Sequence, residues 1–551
     1  MLKGCVPWPE EFARRYRERG YWRDITIGEQ LDAAISRWPD REALVSGDER
    51  VTYRQLGLRI DRLAARLTQA GLKPLDRVVL QLPNIPEFIY AYYALVRIGV
   101  IPVMAMRAHR HTEVRHFVNS SGAVGWFIPG VFGNFDFPAM ADEVKVDCPT
   151  LTHVFVAGTP RTGQIALGPM IAEPADEREV STALNRLRPD PSEVALMLLS
   201  GGTTALPKLI PRTHNDYVYN AIQCAHVAGF GDNTVYMAVL PLAHNYNLSS
   251  PGIMGAFACG GKVVLAPAPD AETVFPIVER ERVTIIAAAV PLVANWLNSS
   301  VPRRCDISSL KVIQNGGARL APELRQRVRD ELGCTPQEIY GTAEGLINIV
   351  RLDDDEEALL HSSGAPVSPD DEIKVVDDSD HEVPDGEPGE LLTRGPYTIR
   401  GYYNNVEKNK EAFTADGFYR MGDIVRKRGR HVYTEGRRKD LINRGGEKIS
   451  CDEIENYIFA HPKVKSVTLV AMPDEVFGEK ACAFVIPKPG ETLTFGELIA
   501  FLRAQKIASF KLPERLELLA EFPLSPAGKI LKRTLRERIT AQLAAEKAAP
   551  K

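Results

Sequence analysis

Residues 194–208 read VALMLLSGGTTALPK, and this stretch decides how the rest of the chain is interpreted. An apolar run of strand length, Val194–Leu199, leads into glycines and hydroxyl residues over 200–204, and Lys208 follows. Glycine lets backbone N–H groups turn towards an oxyanion, hydroxyls add donors, and lysine supplies a positive charge that suits phosphate. The stretch predicts a phosphate-binding loop, and the alternative is the polar tip of a hairpin.

This stretch is not a Walker A loop. That motif requires G-x-x-x-x-G-K-[ST] at the start of a helix. Here Pro207 precedes Lys208 and Leu209 follows it. The sequence therefore argues against a P-loop ATPase and for a phosphate loop of another kind.

Length, composition and charge predict an ordinary protein with several domains. At 551 residues the chain is too long for one hydrophobic core, so two or more domains are expected. Hydrophobic residues make up 44% and charged residues 25%, and the net charge of −4 gives no reason to expect nucleic acid or a membrane as partner. The eight cysteines include no C-x-x-C pair, which argues against a zinc site or a disulfide framework and favours a cytoplasmic location.

Neither a secretory signal nor a membrane span is predicted. The first residues are charged and aromatic without an apolar core. The most apolar segment, Val283–Leu297, is short for a span and is interrupted by Pro291 and Asn295. We expect a buried strand followed by a helix in this segment.

Alternating strand and helix patterns over residues 43–157 predict a layered α/β domain with mostly parallel sheets. The expected elements are a hairpin at Ala43–Val45 and Arg50–Thr52, helices at Thr26–Trp38, Tyr53–Ala70 and Glu87–Ile98, and strands at Arg77–Leu82, Val100–Val103, Ala123–Ile128 and Val154–Ala157.

The pattern changes twice in the second half of the chain. From about Gly386 proline, glycine and charge increase, and short runs such as Glu390–Thr393 indicate antiparallel strands. Beyond a charged junction at 437–440 the pattern predicts a small α+β domain, and the junction itself predicts a hinge. We therefore divide the chain into residues 1–439 and 440–551. The expected elements of the second part are strands at Leu441–Asn443, Val464–Ala471, Ala481–Ile486 and Leu516–Leu519 and helices at Cys451–Ala460 and Thr494–Gln505.

Polar residues that follow apolar runs have a functional and a structural interpretation. His244, Asn245 and Tyr246 come just past a predicted strand, where open α/β sheets place ligand groups, although a helix cap near Gly252 is the simpler interpretation. Glu344, in YGTAEG, suits Mg²⁺ because a hard cation prefers carboxylate oxygen; otherwise it is a surface residue at a turn.

Three further positions have the same two interpretations. Asp423, in YRMGD, suits the two hydroxyls of a ribose or a simple Gly-Asp turn. Arg437 suits planar, bidentate contacts or belongs to a solvated run of charge. Lys529 lies on a proline-flanked loop from which a lysine can reach an active site, although most such lysines are exposed.

Together, the order and spacing of these motifs resemble the adenylate-forming superfamily of acyl-CoA synthetases, firefly-type luciferases and peptide-synthetase adenylation domains. The resemblance covers nearly the whole chain. It is carried by SGGTTALPK at 200–208, YGTAE at 340–344, YRMGD at 419–423, GRRKDLINRGGEKISCDEIE at 436–455 and PLSPAGKILKRTL at 523–535.

Within that group the chain most resembles the 2,3-dihydroxybenzoate–AMP ligases, the aryl-acid adenylating enzymes of siderophore assembly. The resemblance implies a large N-terminal domain of two layered α/β subdomains and a distorted β-barrel, with a small mobile α+β C-terminal domain. It is carried by WPEEFARRYRERGYW at 8–22, LPKLIPRTHNDY at 206–217, AHNYNLSSPG at 243–252, AEGLINIVRLDD at 343–354 and INRGGEKI at 442–449.

The resemblance implies two half-reactions with ATP and Mg²⁺ as cofactors. First an aryl carboxylate attacks the α-phosphate of ATP, which gives aryl-AMP and pyrophosphate. The small domain then swings about Asp440, and the phosphopantetheine thiol of an aryl carrier protein attacks the aryl-AMP carbonyl. One site thus serves two chemistries by closing in two ways.

The resemblance also implies a role for each motif residue. Lys529, Lys208 and His244 are the implied catalytic residues, and Lys529 would bridge the carboxylate and α-phosphate oxygens. Glu344 would ligate Mg²⁺. The implied pantetheine tunnel comprises Gly445, Gly446 and Lys448. The implied ATP and AMP contacts are Ser200, Gly201, Gly202, Thr203, Thr204, Gly316, Gly317, Ala318, Glu338, Tyr340, Gly341, Thr342, Asp423, Arg437 and Lys529.

The implied acid pocket points to the substrate. Asn245 would hydrogen-bond the ring 2-hydroxyl and the carboxylate, and Ser250 would meet a 3-hydroxyl. A serine there favours 2,3-dihydroxybenzoate over salicylate, because leaving a buried hydroxyl unpaired costs about 1–3 kcal/mol. The pocket residues implied are His244, Asn245, Tyr246, Ser250, Gly317 and Ile347.

Three departures from the family pattern leave alternatives open. Ala205 replaces a usual glycine and Met421 a usual threonine. Asn247 stands where the similar ligases usually have proline, so salicylate or a hydroxypicolinate- or quinaldate-type acid also fits. Two other functions are an aryl-CoA ligase, which the Asn245–Ser250 pair argues against, and an inactive nucleotide-binding relative. The oligomeric state is not predicted.

Overall fold

The computed structural model describes residues 1–174, 176–200, 207–444, 447–505, 507–525 and 528–548. The helices in these residues are α1 Glu10–Glu18, α2 Ile27–Arg37, α3 Tyr53–Gln69, α4 Pro86–Arg97, α5 His111–Ser121, α6 Phe137–Val146, α7 Leu167–Ala172, α8 Glu177–Asn185, α9 His214–Val227, α10 Asn245–Ser249, α11 Gly252–Ala258, α12 Ala271–Glu281, α13 Val290–Leu297, α14 Pro322–Leu332, α15 Glu356–His361, α16 Val406–Ala412, α17 Cys451–Phe459, α18 Phe495–Ala504 and α19 Lys532–Ala548.

The strands in the same residues are β1 Glu42–Ser46, β2 Glu49–Thr52, β3 Arg77–Leu80, β4 Ile101–Met104, β5 Gly125–Pro129, β6 Val131–Phe132, β7 Phe135–Asp136, β8 His153–Ala157, β9 Ile165–Ala166, β10 Val194–Leu199, β11 Leu209–Thr213, β12 Val235–Ala238, β13 Lys262–Leu265, β14 Ile285–Ala288, β15 Val312–Gly316, β16 Thr335–Thr342, β17 Gly345–Ile349, β18 Ala365–Pro366, β19 Glu372–Val376, β20 Pro388–Arg394, β21 Tyr419–Arg428, β22 His431–Arg437, β23 Ile442–Arg444, β24 Glu447–Ile449, β25 Val464–Asp474, β26 Gly478–Pro487 and β27 Arg515–Leu518.

Two large sheets form the body of the fold. The first runs β18-β17-β16-β15-β14-β12-β13-β1-β2, and its inner strands are parallel while β2, β17 and β18 pair antiparallel at the edges. The second runs β11-β10-β4-β3-β5-β8-β9, and only β11 pairs antiparallel within it. The prediction of a layered α/β fold with mostly parallel sheets is therefore confirmed.

Helices packed between the two sheets join them through one continuous core. Buried residues of α3, α4, α9 and α11 belong to the same apolar cluster as residues of both sheets. Two of these helices begin with a capping box. At the start of α3 the Thr52 side chain accepts from the Gln55 backbone N–H, and the Gln55 side chain accepts from the Thr52 backbone N–H. Thr213 and Asp216 make the same pair of bonds at the start of α9. Within this core α9 contacts the segment that follows β12, where Tyr217 donates to Asn245.

A smaller antiparallel sheet, β19-β20-β21-β22, covers one end of the nine-stranded sheet. The resemblance implied a distorted β-barrel here. In the described residues this sheet has open edges, and no closed barrel is formed. The reason is that β19 and β22 each pair with one neighbour within this sheet, so the sheet does not return on itself.

The last part of the chain forms its own five-stranded sheet and its own core. β24-β23-β26-β25 pair antiparallel, and β27 adds to β26 in parallel. One face packs on α17 and α18, and the other packs on Leu535 and Ile539 of α19. The predicted α+β character of this part is confirmed, whereas the division between residues 439 and 440 stays a prediction.

The predicted elements are found with ends shifted by a few residues. The apolar segment Val283–Leu297 contains strand β14 and helix α13, as expected. The hairpin around residue 47 is β1–β2. In the part of the chain that the structure describes, none of the helices has the length and apolar character needed to cross a membrane.

Candidate active site

The candidate site lies at the carboxyl ends of the parallel strands β12, β15 and β16. His244 follows β12, Gly316 ends β15 and Tyr340 lies near the end of β16. Parallel strands place their carboxyl ends at one edge of a sheet, which is where α/β folds bind ligands. The arrangement collects residues that are far apart in sequence at one edge.

The predicted phosphate stretch connects two antiparallel strands. β10 and β11 form a hairpin, and at its base the Ser200 Oγ accepts a hydrogen bond of 2.9 Å from the Lys208 backbone N–H. The hairpin interpretation is therefore correct for the strands, and a phosphate loop at its tip stays a prediction. Gly201, Gly202, Thr203 and Thr204 lie outside the described residues.

Tyr402 joins Lys208 to Glu344, and no sequence motif predicts this contact. The Lys208 Nζ lies 4.0 Å from the centre of the Tyr402 ring, and the Tyr402 hydroxyl donates to Glu344 Oε1 at 2.8 Å. An ammonium over an aromatic face is attracted to it. The predicted phosphate lysine and the predicted magnesium carboxylate thus share one buried aromatic neighbour.

Asp423 is held in the site by two partners. The Tyr340 hydroxyl donates to Asp423 Oδ2 at 2.7 Å, and Arg437 Nε lies 3.3 Å from Asp423 Oδ1. Burial raises the pKa of Asp423, and Arg437 and Tyr340 act in the opposite direction. The structure brings together the predicted ribose aspartate and two other predicted nucleotide contacts, Arg437 and Tyr340.

Lys529 reaches this cluster from the C-terminal part of the chain. Gly317 has a φ of +86°, and a Cβ there would lie 3.4 Å from Lys529 Cε. Burial and Arg437 lower the pKa of Lys529 to about 8, while Asp423 and Glu344 act to raise it. The Lys529 backbone N–H is held by Ser525 Oγ at 3.1 Å. Lys529 is therefore part of the cluster and is not an exposed lysine.

His244 is a neutral residue beside Lys529. Burial lowers the pKa of His244 to about 4, and the charge of Lys529 acts in the same direction. Its Nδ1 accepts from the Tyr246 backbone N–H at 3.3 Å and so caps α10. The predicted helix cap near Gly252 is wrong, since Pro251 precedes α11 without a side-chain cap; the residue that caps a helix here is His244.

Two apolar walls face the predicted acid pocket. A Cβ on Gly316 would lie 2.9 Å from Tyr246 Cε1, so the Tyr246 ring packs directly on that glycine. A Cβ on Gly341 would lie 2.7 Å from Ile347 Cδ1. Glycine at both positions leaves room for the side chains that the resemblance places around the acid.

Asn245 and Ser250, the two predicted specificity residues, contact each other. The Asn245 Nδ2 donates to Ser250 Oγ at 3.2 Å, and both residues are buried. Asn247, the departure from the family pattern, accepts from the Tyr236 hydroxyl at 2.5 Å and donates to the Leu240 carbonyl. Its acceptor and one donor are therefore bonded within the protein.

The remaining predicted nucleotide residues have partners of their own. Glu338 is buried in an ion pair of 3.1 Å with Arg325 and accepts from Asn315 Nδ2 at 2.9 Å. The Ala318 carbonyl also accepts from Asn315, at 2.8 Å. The Thr342 Oγ1 donates to the Gly345 carbonyl at 2.8 Å. Glu338 thus serves to hold the loop after β15, while Gly317 and Ala318 are exposed beside it.

The predicted hinge lies in a short helical turn, Arg438–Asp440. The Asp440 carboxylate accepts from Arg536 of α19, and its carbonyl accepts from Cys451 Sγ at 2.9 Å. Gly445 and Gly446 of the predicted tunnel lie outside the described residues, and Lys448 lies in β24. Asp440 is therefore held by two residues of the C-terminal part, Arg536 and Cys451.

The residues at the site fit a metal that arrives with the nucleotide. In the described ranges no group of three or more histidine, cysteine, aspartate or glutamate side chains is placed to hold an ion. Glu344 supplies one carboxylate, and Mg²⁺ is typically bound by one or two carboxylates together with substrate phosphates. The donor set suits Mg²⁺ carried by ATP.

The chain is similar in sequence to known protein families and to known proteins. The family described as AMP-binding enzyme matches residues 31–403, and the one described as AMP-binding enzyme C-terminal domain matches residues 453–529. The chain is 46% identical over 546 residues to the 2,3-dihydroxybenzoate-AMP ligase of Bacillus subtilis, covering 99% of each. It is also 46% identical over 542 residues to a salicylyl-CoA synthase / salicylate adenylyltransferase of a Streptomyces species, covering 97% of each.

Solved structures agree with the sequence comparisons. The apo structure of MbtA from Mycobacterium smegmatis has 38% identity and a TM-score of 0.74, covering 97% of this chain and 99% of that chain. The anthranilate CoA ligase AuaEII with anthranoyl-AMP has the same fold, with a TM-score of 0.85 at 23% identity, covering 95% of this chain and 98% of that chain. The chain therefore belongs to the family of AMP-binding enzymes, the adenylate-forming superfamily that its motifs resemble.

Proposed function

We propose that the protein is an aryl acid–AMP ligase that activates 2,3-dihydroxybenzoate with ATP and passes the aryl group to a carrier-protein thiol. The observation that carries the proposal is the position of Lys529. It lies against Gly317 and is influenced by Asp423, Glu344 and Arg437, so a lysine from the C-terminal part completes a site built by the N-terminal part.

In the first half-reaction one carboxylate oxygen of the acid forms a bond to the α-phosphorus, and the bond from that phosphorus to the bridging oxygen of pyrophosphate breaks. The incoming carboxylate and the α-phosphate are both negative, so charge neutralisation and positioning dominate catalysis. We propose that the Lys529 ammonium bridges their oxygens. His244 is neutral beside it and so adds no competing positive charge.

Other residues would hold the nucleotide. Asp423 accepts two donors at once and suits the ribose hydroxyls, with Tyr340 and Arg437 fixing its orientation. Lys208 suits the β- and γ-phosphates as a point charge. Mg²⁺, when bound, neutralises phosphate charge, and Glu344 would hold it.

In the second half-reaction the thiol sulfur of a phosphopantetheine arm bonds to the aryl carbonyl carbon, and AMP leaves with the bridging oxygen. The thiol proton passes to solvent or to the leaving phosphate. We propose that the region after Asp440 rotates for this step, which would withdraw Lys529 and bring the 445–448 segment to the site. Glycines in that segment suit a narrow tunnel.

A second candidate is transfer to coenzyme A in place of a carrier protein. It is favoured by the 46% identity to a protein named both salicylyl-CoA synthase and salicylate adenylyltransferase. Incubation of the protein with ATP, the acid, and either coenzyme A or a phosphopantetheinylated aryl carrier protein separates the two candidates by the thioester formed.

The proposal is tested by ATP–pyrophosphate exchange with a panel of acids. We expect 2,3-dihydroxybenzoate to give the highest kcat/KM, salicylate to follow, and benzoate and 3-hydroxypicolinate to be poor. If another acid of the panel is preferred, that acid and not 2,3-dihydroxybenzoate is the substrate. If none of a wider set of acids supports exchange, the proposed activity is refuted.

Ser250→Ala is expected to narrow the preference for 2,3-dihydroxybenzoate over salicylate by about tenfold, because a buried hydroxyl partner is worth about 1–3 kcal/mol. The measurement is the ratio of kcat/KM values for the two acids in the exchange assay. Ser309→Ala, at a buried serine before the amino end of β15 and away from the proposed pocket, serves for comparison. An unchanged ratio in Ser250→Ala would reject the role of Ser250.

Tyr402→Phe is expected to raise the Mg²⁺ concentration needed for half-maximal exchange by about tenfold, because Glu344 loses a hydrogen bond to a charged group, worth about 1.5–3 kcal/mol. Tyr402→Leu also removes the ring beneath Lys208, so the KM for ATP should rise by a further threefold or so. Tyr403→Phe is the matched control, and equal effects in Tyr402→Phe and Tyr403→Phe would contradict the assignment.

A further inference from the structure

Helix α9 carries two buried side chains that contact the floor of the acid pocket. Tyr217 donates its hydroxyl hydrogen to Asn245 Oδ1 at 2.8 Å. Asn220, one turn further along α9, donates from Nδ2 to the Ser249 carbonyl at 2.7 Å. Asn220 belongs to none of the motifs that carry the family resemblance, Tyr217 is the last residue of one of them, and both are completely buried.

The direction of these hydrogen bonds is fixed at Asn220. A backbone carbonyl only accepts, so the NH₂ group of Asn220 must face Ser249. The same Nδ2 also lies 2.9 Å from Ser249 Oγ and 3.3 Å from Ser250 Oγ. This orientation leaves Asn220 Oδ1 without a hydrogen-bond partner among the described residues. The amide is therefore held by its donor side.

The orientation of Asn220 determines which group donates in each of the hydrogen bonds that connect it to Asn245. Because the Ser249 Oγ accepts from Asn220, its own hydrogen is directed to Tyr217, with which Ser249 is hydrogen-bonded. The Tyr217 hydroxyl in turn donates to Asn245 Oδ1. The acceptor of Asn245 is thereby used, and its NH₂ group is turned towards Ser250.

This series of hydrogen bonds ends at Asn245 and Ser250, which present hydrogen-bond donors to the pocket. Ser250 Oγ receives an N–H group of Asn245 and shares with Ser249 Oγ the second N–H group of Asn220, so its own hydrogen remains to be donated. Asn245 retains one further N–H. A buried site of this kind rejects a ligand that brings another donor, because two buried donors facing each other both stay unpaired.

We propose that Asn220 is a specificity-determining residue, which, through Ser249 and Tyr217, makes Asn245 and Ser250 present donors and so selects acids with a hydrogen-bond acceptor on the ring. The proposal rests on the proposed aryl-acid activation. It predicts that the protein prefers acids with ring hydroxyl groups, whose oxygens accept hydrogen bonds, over acids with ring amino groups, whose nitrogen accepts them poorly. Asn220 acts by positioning and does not touch the acid.

The test compares 2,3-dihydroxybenzoate with 3-amino-2-hydroxybenzoate in ATP–pyrophosphate exchange. The wild-type protein should prefer the hydroxy acid by about 10- to 100-fold. Asn220→Asp replaces the NH₂ group by an acceptor, so Ser249 and Ser250 would donate to it and Ser250 would turn a lone pair to the pocket. The preference should fall by at least about tenfold.

Gln223→Glu is the matched control, because it adds the same charge to the same helix. Gln223 donates to the Val367 carbonyl and takes no part in the hydrogen bonds that connect Asn220 to Asn245. It should leave the preference unchanged. A preference unchanged in folded Asn220→Asp would overturn the proposal. If no acid supports exchange by the wild-type protein, the proposed function fails instead, so the two failures are distinguishable.

A second variant keeps the proposal testable if Asn220→Asp does not fold. Tyr217→Phe removes the hydrogen that fixes Asn245 and adds no charge. The preference for salicylate over 2-aminobenzoate should then fall by about tenfold, because Asn245 is free to present either its oxygen or its NH₂ group. An unchanged preference for salicylate in this variant would also overturn the proposal.

Discussion

Lys529→Ala is expected to slow aryl-AMP formation by about 10²- to 10³-fold, the loss typical when one preorganised group that stabilises transition-state charge is removed. The expectation follows from its position against Gly317 and from the electrostatic influence of Arg437, Asp423 and Glu344 on it. Thioester formation from supplied aryl-AMP should fall less than about tenfold, since the carboxylate–phosphate charge is no longer being brought together. Single-turnover assays of each half-reaction measure the two effects separately.

The control for this experiment is Lys463→Ala. Lys463 is also a lysine of the C-terminal part, paired with Glu497 at 2.7 Å, but it lies in the loop before β25 and outside the cluster around Gly317. Both half-reactions should be unchanged in it. Equal loss of the two half-reactions in Lys529→Ala would contradict the proposal that this lysine serves only the first of them.

Arg212→Met is expected to lower the free energy of unfolding by about 3–5 kcal/mol, because it leaves a buried carboxylate without its partner. Arg212 and Asp216 are both fully buried and lie 2.7 Å apart. Burial raises the pKa of Asp216, and Arg212 opposes this rise. Arg212 also donates to the carbonyls of Ala343 and Tyr397, at 3.0 and 3.1 Å, so it ties β11 to the loop that carries Glu344.

Urea unfolding followed by fluorescence measures this loss, and Arg327→Met is its control. Arg327 and Glu331 have the same spacing of four residues and lie 2.6 Å apart, but both side chains are partly exposed. Such a pair is worth about 0.3–0.5 kcal/mol. If the two variants lose similar free energy, burial is not what makes the Arg212 pair important.

Sequence patterns predicted the elements well because local rules decide them. Apolar runs of four to six residues marked β10, β12 and β14, and the turn at Gly47 marked the first hairpin. The motif residues Tyr340, Asp423 and Lys529, far apart in the chain, do lie together. Their proximity rested on the resemblance to a family, since no local pattern relates positions so distant in sequence.

Other features could not be predicted from the sequence, because they depend on contacts between segments that are distant along the chain. Tyr402 is one of several tyrosines in the chain, and its position beneath Lys208 and beside Glu344 follows from how β11 meets the segment after β20. Asn220 lies in helix α9, most of whose residues are buried, and no sequence motif marks it. Helix α19 does have a recognisable pattern, the i, i+4 spacing of Leu535, Ile539 and Leu543.

The open four-stranded sheet has a similar explanation. Strand patterns in residues 372–437 indicate antiparallel pairing, but they do not say whether the edge strands meet. Closure depends on strand number, tilt and stagger taken together. Here β19 and β22 are the two edge strands of the sheet and do not pair with each other, so the implied barrel is not closed in the part of the chain that the structure describes.

The central claim is that one site joins an aryl carboxylate to the α-phosphate of ATP and then releases AMP to a thiol. Its most direct test uses 2,3-dihydroxybenzoate labelled with oxygen-18 in both carboxylate oxygens, with ATP, Mg²⁺ and an aryl carrier protein or coenzyme A as acceptor. Mass spectrometry of the AMP should find one labelled oxygen, transferred through the bridging bond of aryl-AMP. AMP released without label, or no AMP at all with any acid, would contradict the account.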